Sequence, residues 1–159
     1  MTDAAILTIS DTRAQGVRAD TATPRLRRVL EEAGWTVRDA AIVPDERAQI
    51  QQRLIDFADR LHMPLVVTTG GTGFGPRDVT PEATRGVIER EAPGLAEAMR
   101  VATAGRNPLA WLSRATAGLR GRTLIINLPG HPQGAEECLR AVLPLLPHAF
   151  EMIAGHHHG

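Results

Sequence analysis

Short apolar runs rich in β-branched residues alternate along this chain with segments of helical periodicity. Such runs occur at residues 4–9, 35–43 and 65–69, and a helical pattern follows each of them. Parallel strands need a long crossover, usually a helix, whereas antiparallel strands can be joined by a tight turn. Three strand-then-helix units in a row therefore predict a parallel sheet with helical crossovers.

The later part of the chain repeats this pattern less regularly. We predict helices at residues 82–91 and 95–104, a turn at 118–122 and a strongly apolar strand at 123–128. A last helix is expected at 134–153, and Pro144 and Pro147 should kink or divide it.

Charge and cysteine content restrict the class of protein. The 159 residues include 18 basic and 18 acidic side chains, so the chain lacks the positive field of a dedicated nucleic-acid binder. A single cysteine, Cys138, excludes an intramolecular disulfide and is typical of a reducing cytoplasm. No run has the character of a secretion signal or a membrane-spanning helix. We expect a cytoplasmic protein with no membrane or nucleic-acid partner, formed by one domain at residues 1–155 and a disordered tail at 156–159.

The stretch TTGGTGFGPRDVTPEA, residues 68–83, follows the third predicted strand. Its glycines at positions 70, 71, 73 and 75 let the backbone approach a ligand and adopt positive φ at little cost. The letters fit neither the dinucleotide fingerprint nor the P-loop, which needs a lysine that this chain lacks. A phosphate-binding loop and a simple tight turn both remain open. Thr80 is expected to cap the next helix, with Pro81 at its first position and Glu82 complementing its dipole.

Polar or glycine-rich loops follow four of the predicted strands. They contain Ser10-Asp11, Asp45-Glu46, residues 70–78 and Pro129-Gly130-His131. The carboxyl ends of parallel strands share one edge of a sheet, which is where open α/β sheets bind ligands. Carboxylates beside a phosphate site favour a cation between them, and Mg²⁺ is typically held by one or two carboxylates and substrate phosphates. Asp45 and Asp78 therefore indicate metal-assisted phosphoryl or nucleotidyl transfer, although Asp45 is also placed to cap a helix.

Other catalytic classes lack their characteristic residues. There is no G-x-S-x-G elbow, and His62 and His131 do not have the spacing of zinc ligands. We interpret His62 as a helix-terminal residue, while His131 either lines the pocket or merely follows a strand. Ser113 and Arg114 together can donate to a phosphate or a carboxylate, or form an ordinary surface pair.

Six ordered motifs span nearly the whole chain: ISDTR at residues 9–13, IVPDE at 42–46, TTGGTGFGPRDVTPEA at 68–83, EREAPG at 89–94, LSRATAG at 112–118 and LIINLPGHP at 124–132. On these motifs the chain resembles the molybdenum cofactor biosynthesis proteins of the MogA/MoaB type, the molybdopterin adenylyltransferase family. Six motifs in order are far more specific than a lone glycine loop.

The resemblance implies a three-layer α/β fold with a mostly parallel sheet and helices on both faces. It implies Mg²⁺-dependent transfer of AMP from ATP to the terminal phosphate of molybdopterin, with release of pyrophosphate, by a homotrimer or homohexamer that partners a molybdenum insertase. Asp45 and Asp78 then match the acidic pair needed for catalysis and metal binding. The residues expected around the nucleotide and pterin are Ser10, Asp11, Gly70, Gly71, Thr72, Gly73, Glu82, Ser113, Pro129 and Gly130.

The sequence is also compatible with other functions. The same family contains MoaB-type paralogues in which adenylyl transfer is weak or undemonstrated, so a non-catalytic molybdopterin-binding protein is the alternative function. A scaffolding domain is a more remote one. No base-reading motif separates ATP from GTP. Four apolar residues belong either to the core or to a subunit interface: Leu95, Met99, Leu109 and Trp111.

Overall fold

The computed structural model describes residues 2–156 of the chain. Within that range the strands are β1 (Asp3–Ile9), β2 (Thr36–Val43), β3 (Leu65–Thr69), β4 (Arg90–Glu91), β5 (Ala117–Arg120) and β6 (Thr123–Leu128). The α-helices are α1 (Asp11–Ala14), α2 (Ala22–Glu32), α3 (Arg47–Ile55), α4 (Thr80–Arg85), α5 (Pro93–Ala104), α6 (Pro132–Val142) and α7 (Leu146–Ile153). A π-helical turn (Asp56–Arg60) extends α3, and 3₁₀ segments lie at Pro108–Leu112 and Leu143–Leu145. The second of these contains Pro144, so the predicted division of the last helix is confirmed.

The strands form one sheet in the order β2-β1-β3-β6-β5-β4. The neighbours β2, β1, β3 and β6 run parallel, while β5 and β4 add an antiparallel edge, which confirms the mostly parallel prediction. The chain passes from β1 to β2 on one side and then returns to place β3 on the other side of β1. This creates a topological switch point between β1 and β3, and a crevice beyond their carboxyl ends.

Helices cover both faces of the sheet, and a hydrophobic core lies against each face. Successive side chains of a strand point to opposite faces. Ile6 of β1 therefore belongs to the core shared with α2, α5 and α6, whereas its neighbour Leu7 belongs to the core shared with α3 and α4. This is the three-layer arrangement that the family resemblance implied.

The segment after the glycine stretch differs from its prediction. α4 ends at Arg85 instead of near residue 91, because residues 90–91 pair with β5 as the short strand β4. The turn expected at residues 118–122 is confined to 121–122, where Gly121 has a φ of +57°. Residues 117–120 form β5 instead. Strands of two and four residues carry too little periodicity to be recognised from the letters.

The prediction that Thr80 caps α4 is wrong. Thr80 is the first residue of that helix, and its Oγ1 donates a hydrogen bond of 2.8 Å to the carbonyl oxygen of Gly70. Its backbone N–H donates to the carbonyl oxygen of Gly71 at 3.1 Å. Thr80 thus holds the first half of the glycine loop closed, and Pro81 is the second helical residue.

The sequence did not decide whether four apolar residues belong to the core or to a subunit interface, and the structure divides them between core and surface. Met99 is buried in the core and Leu95 packs partly against it. Leu109 and Trp111 are 68% and 58% exposed, so they alone of the four are available for an interface.

Residues 2–156 include no helix long and apolar enough to cross a bilayer. In the expected tail, the backbone N–H of His156 donates to the carbonyl oxygen of Glu151 at 3.0 Å, and residues 157–159 lie outside the described part of the chain.

Candidate active site

The loops that follow β1, β2, β3 and β6 lie together at one edge of the sheet. The backbone N–H of Ser10 donates to the carbonyl oxygen of Val43 at 2.9 Å, which joins the ends of β1 and β2. The N–H of Gly70 donates to the carbonyl oxygen of Leu128 at 3.1 Å, which joins the ends of β3 and β6. The predicted convergence of the strand ends is confirmed.

The first two glycines of the loop are required by its backbone. Gly70 has a φ of +106° and Gly71 a φ of +69°, and residues other than glycine rarely adopt these values. A Cβ on Gly70 would collide with the carbonyl oxygen of Ile9, and a Cβ on Gly71 would collide with Oγ1 of Thr80. The interpretation as a tight turn therefore accounts for these two positions.

The next two glycines make room for Asp78. Oδ2 of Asp78 accepts a hydrogen bond of 2.8 Å from the backbone N–H of Gly75. A Cβ on Gly73 would lie 3.0 Å from that oxygen, and one on Gly75 would lie 2.9 Å from it. Oδ1 makes no hydrogen bond within residues 2–156. The loop thus holds one carboxylate oxygen and leaves the other available.

Asp45 is tied to the loop after β1. The N–H of Asp11 donates to Oδ2 of Asp45, and the N–H of Asp45 donates to Oδ1 of Asp11, both at 2.9 Å. α3 begins two residues later, after Glu46. The alternative that Asp45 caps this helix is therefore wrong, because its carboxylate accepts from the first residue of α1 and Glu46 is the N-cap of α3.

Asp11 is anchored by a guanidinium. Arg77 donates to its two carboxylate oxygens at 3.0 and 3.1 Å and also pairs with Glu46 at 3.0 Å. The Arg77 hydrogen bond, helped by the N–H of Asp45, holds the pKa of Asp11 below its ordinary value. Asp11 therefore stays ionised and positions Asp45.

Asp45 is in the opposite electrostatic situation. Burial raises the pKa of Asp45, and the nearby carboxylates of Asp11 and Asp78 raise it further, against the N–H of Asp11 and the charge of Arg77. The charged form of Asp45 is therefore less favoured than that of an ordinary exposed aspartate.

Arg114 fastens the outer part of the glycine loop. Its guanidinium donates to the carbonyl oxygens of Gly73 and Asp78, each at 2.8 Å, and to the carboxylate of Glu82 at 2.6 Å. The Arg114 hydrogen bond holds the pKa of Glu82 below its ordinary value. Of the partners that the sequence left open for Arg114, the structure selects a carboxylate.

Two cavities open at this edge of the sheet. The larger, of about 580 Å³, lies between the glycine loop and the helices α5 and α6. The second, of about 370 Å³, lies between the glycine loop and the loop after β1. Four residues line both cavities: Gly71, Asp78, Gly130 and His131. Asp78 therefore stands at the junction of the two.

Residues 5–148 match the family model described as "Probable molybdopterin binding domain". The chain belongs to this family. Cinnamon, the molybdenum cofactor synthesis protein of Drosophila melanogaster, is 44% identical over 149 residues, which are 93% of this chain and 25% of that protein. The molybdopterin adenylyltransferase of Helicobacter pylori strain J99 is 42% identical over 154 residues, which are 96% of this chain and 88% of that protein.

A solved structure also matches this chain closely. The crystal structure of the molybdopterin biosynthesis enzyme MoaB from Thermus thermophilus is 50% identical, with a TM-score of 0.93 over 98% of each chain. The curated relatives and this structure agree on a role in molybdenum cofactor biosynthesis.

The residues predicted around the site fall into distinct places in this family member. Those that line only the larger cavity are Thr72, Gly73, Ser113 and Pro129. Those that line only the second cavity are Ser10, Asp45 and Gly70. Gly71, Asp78 and Gly130 line both, and Asp11 and Glu82 line neither. Asp11 instead exchanges hydrogen bonds with Asp45, and Glu82 accepts a hydrogen bond from Arg114.

Several lining residues were not identified from the sequence. Arg13, in α1, and Arg18, in the loop after α1, line the second cavity, although residues 13–20 have no sequence pattern that predicts a role. Arg100 lines the larger cavity and donates to the carbonyl oxygens of Ser113 and Ala115, each at 3.1 Å. On a helix such an arginine is indistinguishable from a solvated one until the packing is known.

His131 lines both cavities, which settles its open assignment. Its Nδ1 accepts a long hydrogen bond of 3.5 Å from the N–H of Gly134 at the start of α6. Cys138 also lines the larger cavity, but burial raises its pKa to about 11. It therefore remains a thiol and is unsuited to be a nucleophile.

Proposed function

We propose that this protein is a molybdopterin adenylyltransferase that moves AMP from ATP to the terminal phosphate of molybdopterin and releases pyrophosphate. The observation that carries the proposal is the pair of cavities that meet at Asp78. A transfer between two substrates needs two adjoining spaces and a charged group where they meet. The 42% identity to a molybdopterin adenylyltransferase that this chain nearly spans supports the same activity.

The donor set suits Mg²⁺. Asp45 and Asp78 each use one carboxylate oxygen in a backbone hydrogen bond and have the other without one in the described chain. Among residues 2–156 no group of three or more acidic, histidine or cysteine side chains is arranged to hold a metal. That suits an ion whose coordination shell is completed by substrate phosphates and water, as is usual for Mg²⁺. We propose that Asp45 and Asp78 hold it, and bound Mg²⁺ would neutralise charge on the reacting phosphates.

The protein's own residues would act by positioning. Gly71 and Gly73 would let backbone approach the phosphates, and Arg114 would keep that loop in place. The nucleophile is an oxygen of the pterin substrate, so the protein needs none. Preorganised charge at the junction would supply most of the acceleration.

The second candidate function is a non-catalytic molybdopterin-binding protein of the MoaB type. A structure named MoaB is 50% identical to this chain, which relates the chain to the MoaB type. Such a protein would keep the larger cavity and bind the pterin, with little affinity for nucleotide. The carboxylates of Asp45 and Asp78 favour the first candidate, since pterin binding alone does not require them.

We further propose that the protein acts in the cytoplasm as a homotrimer or homohexamer and passes its product to a molybdenum insertase. The exposed apolar side chains of Leu109 and Trp111 support self-association. ATP is the expected nucleotide, with GTP as the comparison to test.

Two measurements on the wild-type protein test the proposal. Calorimetric titration with ATP and GTP, with and without Mg²⁺, measures nucleotide binding, and incubation with molybdopterin, ATP and Mg²⁺ measures adenylyl-molybdopterin. We expect Mg²⁺-dependent ATP binding and product. Tight molybdopterin binding with neither nucleotide binding nor product would favour the second candidate.

A further inference from the structure

The second cavity carries two arginines without a partner in the protein. Arg13 and Arg18 line it, and neither guanidinium forms an ion pair or hydrogen bond within residues 2–156. Nε of Arg13 is also buried and unbonded. By contrast, the guanidiniums of Arg77 and Arg114 are held by carboxylates.

Buried N–H donors in native structures almost always have an acceptor, because an unmade hydrogen bond is costly. An anion with several acceptor oxygens would supply the missing acceptors of both guanidiniums at once. The planar fork of arginine fits phosphate oxygens well and holds its charge at any physiological pH. The wall formed by Arg13 and Arg18 therefore points to a phosphate ligand.

The arginines of the larger cavity are already engaged. Arg100 donates to backbone carbonyl oxygens, and Arg106 lies 3.7 Å from the carboxylate of Glu137. Of the two cavities, the second thus has the uncommitted positive charge. It is also lined by Asp78, where the two cavities meet.

We propose that Arg13 and Arg18 form the subsite for the β- and γ-phosphates of the nucleotide, which leave as pyrophosphate. The proposal rests on the proposed function. In that reaction an oxygen of the pterin phosphate forms a bond to the α-phosphorus, and the bond from that phosphorus to the bridging oxygen of the β-phosphate breaks. The electron pair of that bond leaves with pyrophosphate. The two guanidiniums balance the charge that develops there.

The test compares the double variant Arg13→Gln/Arg18→Gln with the wild type and with Arg122→Gln. Arg122 is a matched control, because it is exposed, has no ion pair in the described chain and precedes β6, at the sheet edge away from the site. Calorimetry with Mg²⁺ measures the affinity of each protein for ATP, AMP and inorganic pyrophosphate. Since charge-assisted hydrogen bonds are lost, we expect the double variant to bind ATP and pyrophosphate at least about tenfold more weakly. AMP and molybdopterin binding should change less than about twofold, since neither carries the phosphates concerned.

Equal weakening of AMP and ATP, or unchanged pyrophosphate binding, would overturn the proposal. Weakened molybdopterin binding with ATP binding retained would assign the arginines to the pterin phosphate and overturn it as well. If the wild type makes no adenylyl-molybdopterin but binds pyrophosphate through these arginines, the proposed function fails and the subsite stands. Thermal unfolding checks that the double variant folds, and Arg18→Gln alone, at an exposed position, provides the same comparison if it does not.

Discussion

At the scale of single residues, the site is built by glycines that serve two separate purposes. Gly70 and Gly71 adopt backbone conformations and tolerate contacts that a Cβ forbids. Gly73 and Gly75 leave space for the carboxylate of Asp78. A loop that bound phosphate through its backbone alone would need no such space. The last two glycines therefore serve to accommodate the carboxylate of Asp78.

Gly70→Ala should destabilise the protein, whereas Gly105→Ala should not. At Gly70 the φ of +106° and the carbonyl oxygen of Ile9 both oppose a Cβ, while at Gly105 the added Cβ meets no atom within 4 Å. We expect a loss of about 1–3 kcal/mol or more in the free energy of unfolding for Gly70→Ala. The control should stay within about 0.5 kcal/mol of the wild type. Urea unfolding measures both, and equal stabilities would contradict the assigned strain.

At the scale of elements, ion pairs hold the loops in place while Asp45 and Asp78 provide the unpaired carboxylate oxygens. Arg77 fixes Asp11, which positions Asp45. Arg114 joins the segment between Leu112 and β5 to the start of α4 through Glu82. The two arginines and two carboxylates of these pairs line neither cavity, and they hold the loops that carry Asp45 and Asp78.

The contribution of the Arg114–Glu82 pair to stability should disappear in acid. The pKa of Glu82 is lower in the folded protein than its ordinary value of 4.5, so its stabilising effect is complete above that pH and is lost as the pH falls through the folded pKa. Because the pair is partly exposed and screened, Glu82→Gln should cost only about 1 kcal/mol at pH 7. The difference from the wild type should shrink as the pH falls through the folded pKa of Glu82.

Urea unfolding at a series of pH values from 7 to 3 checks this dependence. Glu97→Gln is the control, since Glu97 is exposed on α5 and has no ion pair in the described chain. It should differ little from the wild type at any pH. A stability difference for Glu82→Gln that does not change with pH would contradict the assigned pairing.

At the scale of the whole molecule, the exposed apolar side chains after α5 predict self-association. Trp111→Glu places a charge on a side chain that is 58% exposed, next to Leu109 and Leu112. If this surface is the subunit interface, the variant should dissociate at concentrations where the wild type is oligomeric, because burying an unpaired charge is costly. Sedimentation velocity measures this. Met152→Glu, on the exposed side of α7, is the control, and an unchanged oligomer in Trp111→Glu would contradict the assignment.

The sequence predicted which residues follow the strand ends and so lie at the site. It did not predict the hydrogen-bond partners of these residues, which depend on packing. Apolar runs followed by polar loops were enough to bring Asp45, Asp78 and the glycines to one edge of a parallel sheet. The partners of these residues could not be found in the same way, because Thr80 bonds to Gly70 and Arg114 to Glu82 only through the three-dimensional path of the chain.

The short antiparallel edge was missed for a different reason. β4 and β5 contain two and four residues, and Gly118 is needed in β5 because its neighbour Ile88 leaves no room for a Cβ. Such a strand is determined by its contacts with the sheet. Its letters resemble those of a turn.

The measurement that tests the central claim most directly is single-turnover formation of adenylyl-molybdopterin by the wild type, Asp78→Asn and Asp39→Asn. Asp39 is the control carboxylate, since it lies on β2 and lines neither cavity. We expect Asp78→Asn to be slower by a factor on the order of one hundred or more, equivalent to about 3 kcal/mol of transition-state stabilisation, with Asp39→Asn unchanged. Near-normal transfer by a folded Asp78→Asn protein at saturating Mg²⁺ would contradict the account.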